Sequence, residues 1–391
     1  MMRAGMSPAR TILVAHPSAE LYGSDRVLLE SVSAFVDAGW RVITTLPAGG
    51  PLVDELRARG SEVVLCAAPV VRKSALRPAG FARFLGTAFA GLVGGSRLLA
   101  HERPDIVYVN TLTIPLWVFL ARLRGIRVVA HVHEAERSAP AIQRNVLAFP
   151  LLFAQTIISN SRFSADVLAS SFRSLGARAR IVNNGVPGPA EPRAARASIS
   201  GALQVIYVGR LSPRKGVDVA VDAVALLNQS GTPADLTLLG AVFPGYEWYE
   251  QQLRDQVVAL GLENRVRFLG FQPSVWDTVA GGDVVVVPSR TDEPFGNTAV
   301  EALLAARPVV ASATSGLLEA THGFESARTV TPDDPAALAE ELRTGSGRWA
   351  QWREEALRDL PVAMARHSPA SYRERIVELL NEPSATRATV A

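Results

Sequence analysis

Val205-Ile206-Tyr207-Val208-Gly209-Arg210-Leu211-Ser212-Pro213-Arg214-Lys215-Gly216-Val217 leads from a short apolar run, through a basic turn bounded by glycines, into the helical pattern Val217–Asn228. The run Val205–Val208 shows no polar alternation. It therefore reads as a strand buried on both faces, which belongs in a parallel sheet covered by helices. Val217, Val221, Val224 and Leu227 recur at helical spacing. Glycines at both ends of the turn let the backbone approach a ligand, and its cations suit a diphosphate. The same composition also suits a solvated basic loop. One count bears on the choice: of the 40 Lys and Arg residues, only Lys73 and Lys215 are lysines. A chain that favours arginine so heavily keeps a lysine where a compact point charge is wanted.

Outward from this unit the same grammar repeats. Upstream, apolar runs at Thr11–Ala15, Arg41–Thr45, Glu62–Leu65, Ile106–Val109, Val128–Val132 and Thr156–Ser159 alternate with helical patterns. Downstream, the runs are Leu236–Leu239, Val266–Leu269, Val284–Val287 and Val309–Ala311. An Ala/Arg/Pro-rich stretch around Pro187–Ala197 divides the two series. The fold class is therefore α/β, with two Rossmann-like doubly wound domains. The expected boundaries are 10–190 for the first and 203–365 for the second. A last helix within 366–382, roughly Ser371–Leu380, is expected to pack back towards the first domain.

Ligands of such sheets bind outside the carboxyl ends of the strands, so the residues after each run matter most. Val284–Val287 is followed by Pro288-Ser289-Arg290-Thr291-Asp292-Glu293-Pro294-Phe295-Gly296-Asn297 and then a helix. Asn297 is the expected N-cap, Glu293 lies in the loop, and Glu301 lies about one turn into the helix. Free N–H groups near Phe295–Thr298 would hold a diphosphate, and the carboxylates would accept hydrogen bonds from sugar hydroxyls. Glu301 alone reads first as a residue that complements the helix dipole, whereas the pair with Glu293, together with Gly296, reads as functional.

Bulk properties narrow the class. A chain of 391 residues suits two domains of roughly 150–200 residues each. With 48% hydrophobic and 20% charged residues it is globular, and a net charge of +3 without a basic stripe argues against nucleic-acid binding. Cys66 is the only cysteine, which suits a reducing, cytoplasmic compartment. The N-terminus carries no signal core. Phe84–Ser96 and Asn145–Ser161 are uncharged, but the first is too short and the second too interrupted to span a bilayer. His131 and His133 flank Val132 at strand spacing, but no carboxylate or cysteine set completes a metal site, so no metal or cofactor is expected. There is no Gly-x-Ser-x-Gly elbow and no Walker loop. Tyr246, Trp248 and Tyr249 read as packing at a helix start rather than as a stacking platform. Arg77–Arg103 alternates arginines with an apolar, glycine-rich helical pattern. That stretch reads as a domain helix with one solvated face, or as a helix resting on a membrane surface.

The order strand–GRLxxxKG, then strand–E-P-F-G-x4-E-A-L-x-A-x-x-P-V-V-A-S, resembles the family-four glycosyltransferases, retaining enzymes of the GT-B type. Tyr22-Gly23, RPDIVYVN at Arg103–Asn110, VVAHVHE ending at Glu134 and SNS at Ser159–Ser161 agree with it. So do the late PDDPAALAEEL segment and the closing helix. The resemblance implies two domains facing a central cleft and a nucleotide-diphosphate sugar as donor. It implies a saccharide or lipid-linked acceptor, as in polysaccharide or glycoconjugate biosynthesis, at the inner face of the membrane or free in the cytoplasm. It also implies residue roles. Arg210 and Lys215, after Gly209, would bind the diphosphate. Glu293 would contact the transferred sugar. Phe295, Gly296, Asn297 and Thr298 would present amides, and Glu301 would hold the ribose. From the first domain, His133 would reach the sugar, and Gly23 would let its loop lie close to the phosphates. Ser24 and Ser315 stand where the family often has glycines, and neither departure is expected to touch the main donor residues. Two alternatives remain on the same scaffold, a nucleotide-sugar 2-epimerase and a non-catalytic nucleotide-sugar-binding assembly subunit. Product analysis without acceptor separates the first of these from a transferase.

Overall fold

The computed structural model describes residues 10–71, 78–243 and 245–382, apart from the side chains of residues 78–80. Lys73 and Arg77 lie outside the described residues. The chain divides into two units, the first running through Gly185 and resuming at Pro369, the second comprising Val186–Ser368.

Among its described residues, the first unit holds seven parallel strands: β1 Thr11–Ala15, β2 Arg41–Leu46, β3 Glu62–Leu65, β4 Ile106–Val109, β5 Arg127–Val132, β6 Thr156–Ser159 and β7 Ala179–Ile181. Their order is β3-β2-β1-β4-β5-β6-β7. Alternate residues serve opposite faces, as a strand requires. Ile12, Val14, Ile106, Tyr108 and Val129 enter one apolar cluster. Leu13, Ala15, Val107, Val109 and Val128 enter another on the far side of the sheet. Both faces are dry, which is why these runs carry no polar alternation.

The second unit repeats the plan with six parallel strands: β8 Leu203–Val208, β9 Ala234–Leu239, β10 Val266–Gly270, β11 Val284–Val287, β12 Val309–Ser312 and β13 Ala327–Val330. Their order is β10-β9-β8-β11-β12-β13. Val205, Tyr207, Val284 and Val286 face one cluster, and Ile206, Val285 and Val287 face the other. In both sheets the chain winds outward first on one side and then on the other. The reversal falls between β1 and β4 in the first unit and between β8 and β11 in the second. Loops that leave the carboxyl ends of those neighbours bound a crevice where ligands of doubly wound sheets settle.

The closing helix, Pro369–Asn381, belongs to the first unit and packs on the helix Gly23–Asp37. The Tyr372 hydroxyl lies 2.6 Å from Ser31 Oγ, and Arg373 pairs with Glu30 at 2.7 Å. Among the described residues, no helix is long and apolar enough to cross a membrane.

Candidate functional site

The turn after β8 is shaped by glycine. Gly209 takes φ 146 and donates its N–H to Leu239 O. A Cβ on neighbouring Gly240 would sit 1.8 Å from Gly209 O, so the two backbones pass in contact. Pro213–Lys215 forms one 3-10 turn, which Gly216 ends in the left-handed region at φ 64. There a Cβ would lie 2.0 Å from Pro288 O, in the loop after β11. Arg290 N also donates to Arg214 O at 2.9 Å. The two loops that flank the switch point are therefore joined backbone to backbone.

This junction gathers the charges. Lys215 Nζ lies 2.7 Å and Arg214 Nη1 3.0 Å from Glu293 Oε1, and Ser289 Oγ donates to the same oxygen at 2.8 Å. Burial alone would raise the Glu293 carboxyl. The charges of Lys215 and Arg214, with the hydrogen bonds from Lys215 and Ser289, outweigh it and hold the group below the ordinary carboxylate value. Burial, with the nearby Arg214 and Arg210, lowers the Lys215 ammonium even though Glu293 supports its charge. Arg210 lays its guanidinium 3.7 Å above the centre of the Phe243 ring. Beside it opens a cavity of about 350 Å³ lined by Arg210, Arg214, Phe243 and Tyr246 among others.

The helix Asn297–Leu304 begins differently from expectation. Its N-cap is Gly296, at φ 112, and Asn297 is the first helical residue. Glycine suits that backbone, and a Cβ there would lie 2.7 Å from Leu317 Cδ2. The Phe295 side chain is buried in the core, edge-on to His367 at 5.7 Å, so it lends the loop no side chain for a ligand. Thr298 Oγ1 donates to Val208 O at 3.4 Å. Glu301 lies one turn into the helix and is half-buried.

Ser315 corrects the expectation that the departures spare the main residues. Its Oγ accepts a hydrogen bond from Glu293 N at 3.1 Å, and its φ is 23. At the next position a Cβ on Gly316 would lie 2.4 Å from Glu293 O, so glycine alone fits against the loop. Arg214 and Ser289, which sequence reasoning passed over, and Ser315, which it noted only as a departure, thus complete the setting of Glu293. Adjacency of Arg214 to Lys215 was the available signal; nothing local marked Ser289. Trp248 and Tyr246 also depart from the packing reading, because both are exposed and their rings lie 6.1 Å apart. Only Tyr249 is core, with its hydroxyl on Asp218.

In the first unit, Gly23 is an exposed first residue of the helix Gly23–Asp37. His133, just past β5, is buried, with its Nε2 2.9 Å from Asn110 Oδ1. Burial, with the neighbouring His16, pushes its imidazolium down to about 3, so the ring is neutral at physiological pH. His131 lies beside it, with ring centres 4.0 Å apart, and bonds to the Tyr108 hydroxyl. Among the described residues, no three His, Cys, Asp or Glu side chains are grouped to hold a metal ion.

A family model described as glycosyl transferases group 1 matches residues 191–344, and one described as glycosyltransferase family 4 matches 22–187. D-inositol 3-phosphate glycosyltransferase of Salinispora tropica is 30% identical over 328 residues, which is 77% of this chain and 64% of that protein. Glycogen synthase of Mycobacterium tuberculosis is 28% identical over 254 residues, 62% of this chain and 60% of that protein. The matches thus span less than two thirds of either relative. Among solved structures, Anabaena Alr3699/HepE in complex with UDP and glucose superimposes with a TM-score of 0.78 at 23% identity. That superposition covers 95% of this chain and 99% of the other.

Proposed function

The chain belongs to the glycosyl transferases of group 1, with a family 4 domain in its first half, and from that premise we propose the following reaction. A sugar passes from a nucleotide-diphosphate donor to a saccharide or lipid-linked acceptor, with retention at the anomeric carbon. The observation that carries this reading is the convergence of Lys215 and Arg214 on Glu293, where the loops after β8 and β11 meet at a helix N-terminus.

Lys215 is held by Glu293. A bound diphosphate offers Lys215 a stronger anion and frees the Glu293 carboxylate to accept hydrogen bonds from sugar hydroxyls. As the bond between the anomeric carbon and the diphosphate oxygen breaks, the departing charge is taken up by Arg210, Lys215 and the amides of Gly296, Asn297 and Thr298. Electrostatic stabilisation of that kind is usually the largest catalytic contribution. Glu301 holds the ribose hydroxyls, and in the first unit His133 is assigned as a substrate contact. The acceptor hydroxyl attacks the face the diphosphate leaves and gives its proton to the departing diphosphate oxygen. No metal is invoked, because the cations and helix N-terminus supply the neutralising charge.

We assign the work to the cytoplasm, at the membrane's inner face. Phe81, Leu85, Phe89 and Leu92 are exposed along one side of the helix Pro78–Glu102, at helical spacing suited to the surface of a bilayer.

Thermal unfolding with UDP, GDP, ADP and dTDP tests the donor site. A ligand at about 100 times its Kd stabilises by about 2.7 kcal/mol. One nucleotide is expected to raise the Tm of the wild type by several degrees and to leave Lys215→Ala unmoved. No shift with any of the four at millimolar concentration would overturn the reading.

A further inference from the structure

His133 is buried, yet its Nδ1 has no hydrogen-bond partner. A buried polar atom without a partner is costly, and one that points into a ligand site is commonly completed by the ligand. What remains is which role that nitrogen can play, donor or acceptor, and a chain of buried side chains behind the ring decides it.

Asp25 begins the chain. Its Oδ2 accepts from Tyr22 N at 2.8 Å, and its Oδ1 accepts from Ser18 Oγ at 3.0 Å. The same Oδ1 lies 2.6 Å from His16 Nε2. A carboxylate can only accept, so His16 carries its proton on Nε2. Its Nδ1 lies 3.1 Å from Asn110 Nδ2, and an amide nitrogen can only donate, so Nδ1 accepts. Asn110 is thereby turned with its amide towards His16 and its Oδ1 towards His133 Nε2, at 2.9 Å. An amide oxygen also only accepts, so Nε2 of His133 holds the proton and Nδ1 holds the lone pair. His16, Asp25 and Asn110 are each 2% exposed or less, so water does not compete for these bonds.

We propose that Asp25, His16 and Asn110 form a positioning relay that holds His133 as its Nε2–H tautomer and so presents Nδ1 as an acceptor to a substrate hydroxyl. The proposal rests on the reading of His133 as a substrate contact. Each link lies at the carboxyl end of a strand of the first unit or in the first turn of the helix that follows β1. The relay is therefore built from the same switch point that shapes the crevice. Asp25 and His16 touch no substrate; they act through Asn110.

The test is a variant that reverses the relay without changing its shape. In Asp25→Asn the side-chain oxygen keeps the bond from Tyr22 N, and the new amide donates to His16 Nε2. His16 must then donate from Nδ1, Asn110 must turn over, and His133 must move its proton to Nδ1. The double variant Asp25→Asn, Asn110→Asp restores the original state at His133, because a carboxylate at position 110 accepts from both rings. The readout is the ¹⁵N–¹H correlation spectrum of the imidazoles, with His133 assigned by comparison with His133→Gln, beside kcat and KM for each variant.

The wild type is expected to show His133 protonated at Nε2, and Asp25→Asn to show it at Nδ1. Turnover should fall at least about tenfold in Asp25→Asn, the loss of one hydrogen bond in the transition state. The double variant should recover both the tautomer and most of the turnover. An Nδ1 proton in the wild type would overturn the relay with no variant needed. So would a folded Asp25→Asn whose His133 stays protonated at Nε2. If the tautomer moves and turnover does not, the relay stands and the reading of His133 as a substrate contact fails.

Discussion

At Glu293 three donors converge on one carboxylate oxygen, and the contest between burial and charge there has a consequence for pH. The carboxyl is held below its ordinary value of 4.5 in the folded chain. A carboxylate depressed in this way adds stability above its unfolded value and loses it as the pH falls through the folded one. Glu293→Gln removes that increment and leaves Lys215 buried with a weaker partner. The expected cost is about 1–3 kcal/mol at neutral pH, with the Tm gap to wild type closing as the pH drops below about 4.5. A gap that stays constant from pH 7 to pH 3 would show that the ionised form is not what the site holds. Lys215 and Glu293 were legible in the sequence because both follow strands and stand out chemically. The Asp25–His16–Asn110 relay was not, since its members sit on separate segments and nothing in spacing links them.

At the scale of the element, every inner strand and the edge strands β3 and β10 were legible, and the other two edge strands were not, for a physical reason. Thr11–Ala15, Ile106–Val109 and Val284–Val287 are paired on both sides and buried on both faces, so their apolar runs end where the strands end. The strands β7 and β13 escaped notice. Each lies at a sheet edge, and Arg180 and Arg328 interrupt their short runs with charge, a common protection of edges. The helix Pro78–Glu102 carries the opposite irregularity, apolar residues facing outward. Phe89 is 69% exposed on it and Phe81 54%. If that face meets a membrane, the chain should sediment with anionic phospholipid vesicles. The double variant Phe81→Ser, Phe89→Ser should then lose most of that binding while its Tm changes little, because neither side chain supports the core. Sedimentation of neither protein would remove the membrane from the account, and equal sedimentation of both would remove this face from it.

At the scale of the molecule, the chain's path makes one unit depend on residues far from it in sequence. The first unit is interrupted after Gly185 and completed only by the helix Pro369–Asn381. That helix buries Tyr372, Ile376, Leu379 and Leu380 against the core that also holds Val27, Leu28 and Phe35. Arg127 Nη1 further donates to Leu380 O at 2.7 Å. Burying each such side chain contributes about 1.5–3 kcal/mol, so four of them rival the whole stability of a domain, about 5–15 kcal/mol. The second unit contributes none of these contacts and keeps both of its own clusters without the helix. A chain that stops at Ser368 is therefore expected to lose the folded first unit while the second stays folded. Limited proteolysis should leave a resistant fragment beginning near Val186, and that fragment should keep the nucleoside-diphosphate shift in Tm. Survival of the first unit's transition in the shortened chain would mean that its core closes without the last helix. Loss of both units together would mean that the second cannot stand alone, despite its separate core.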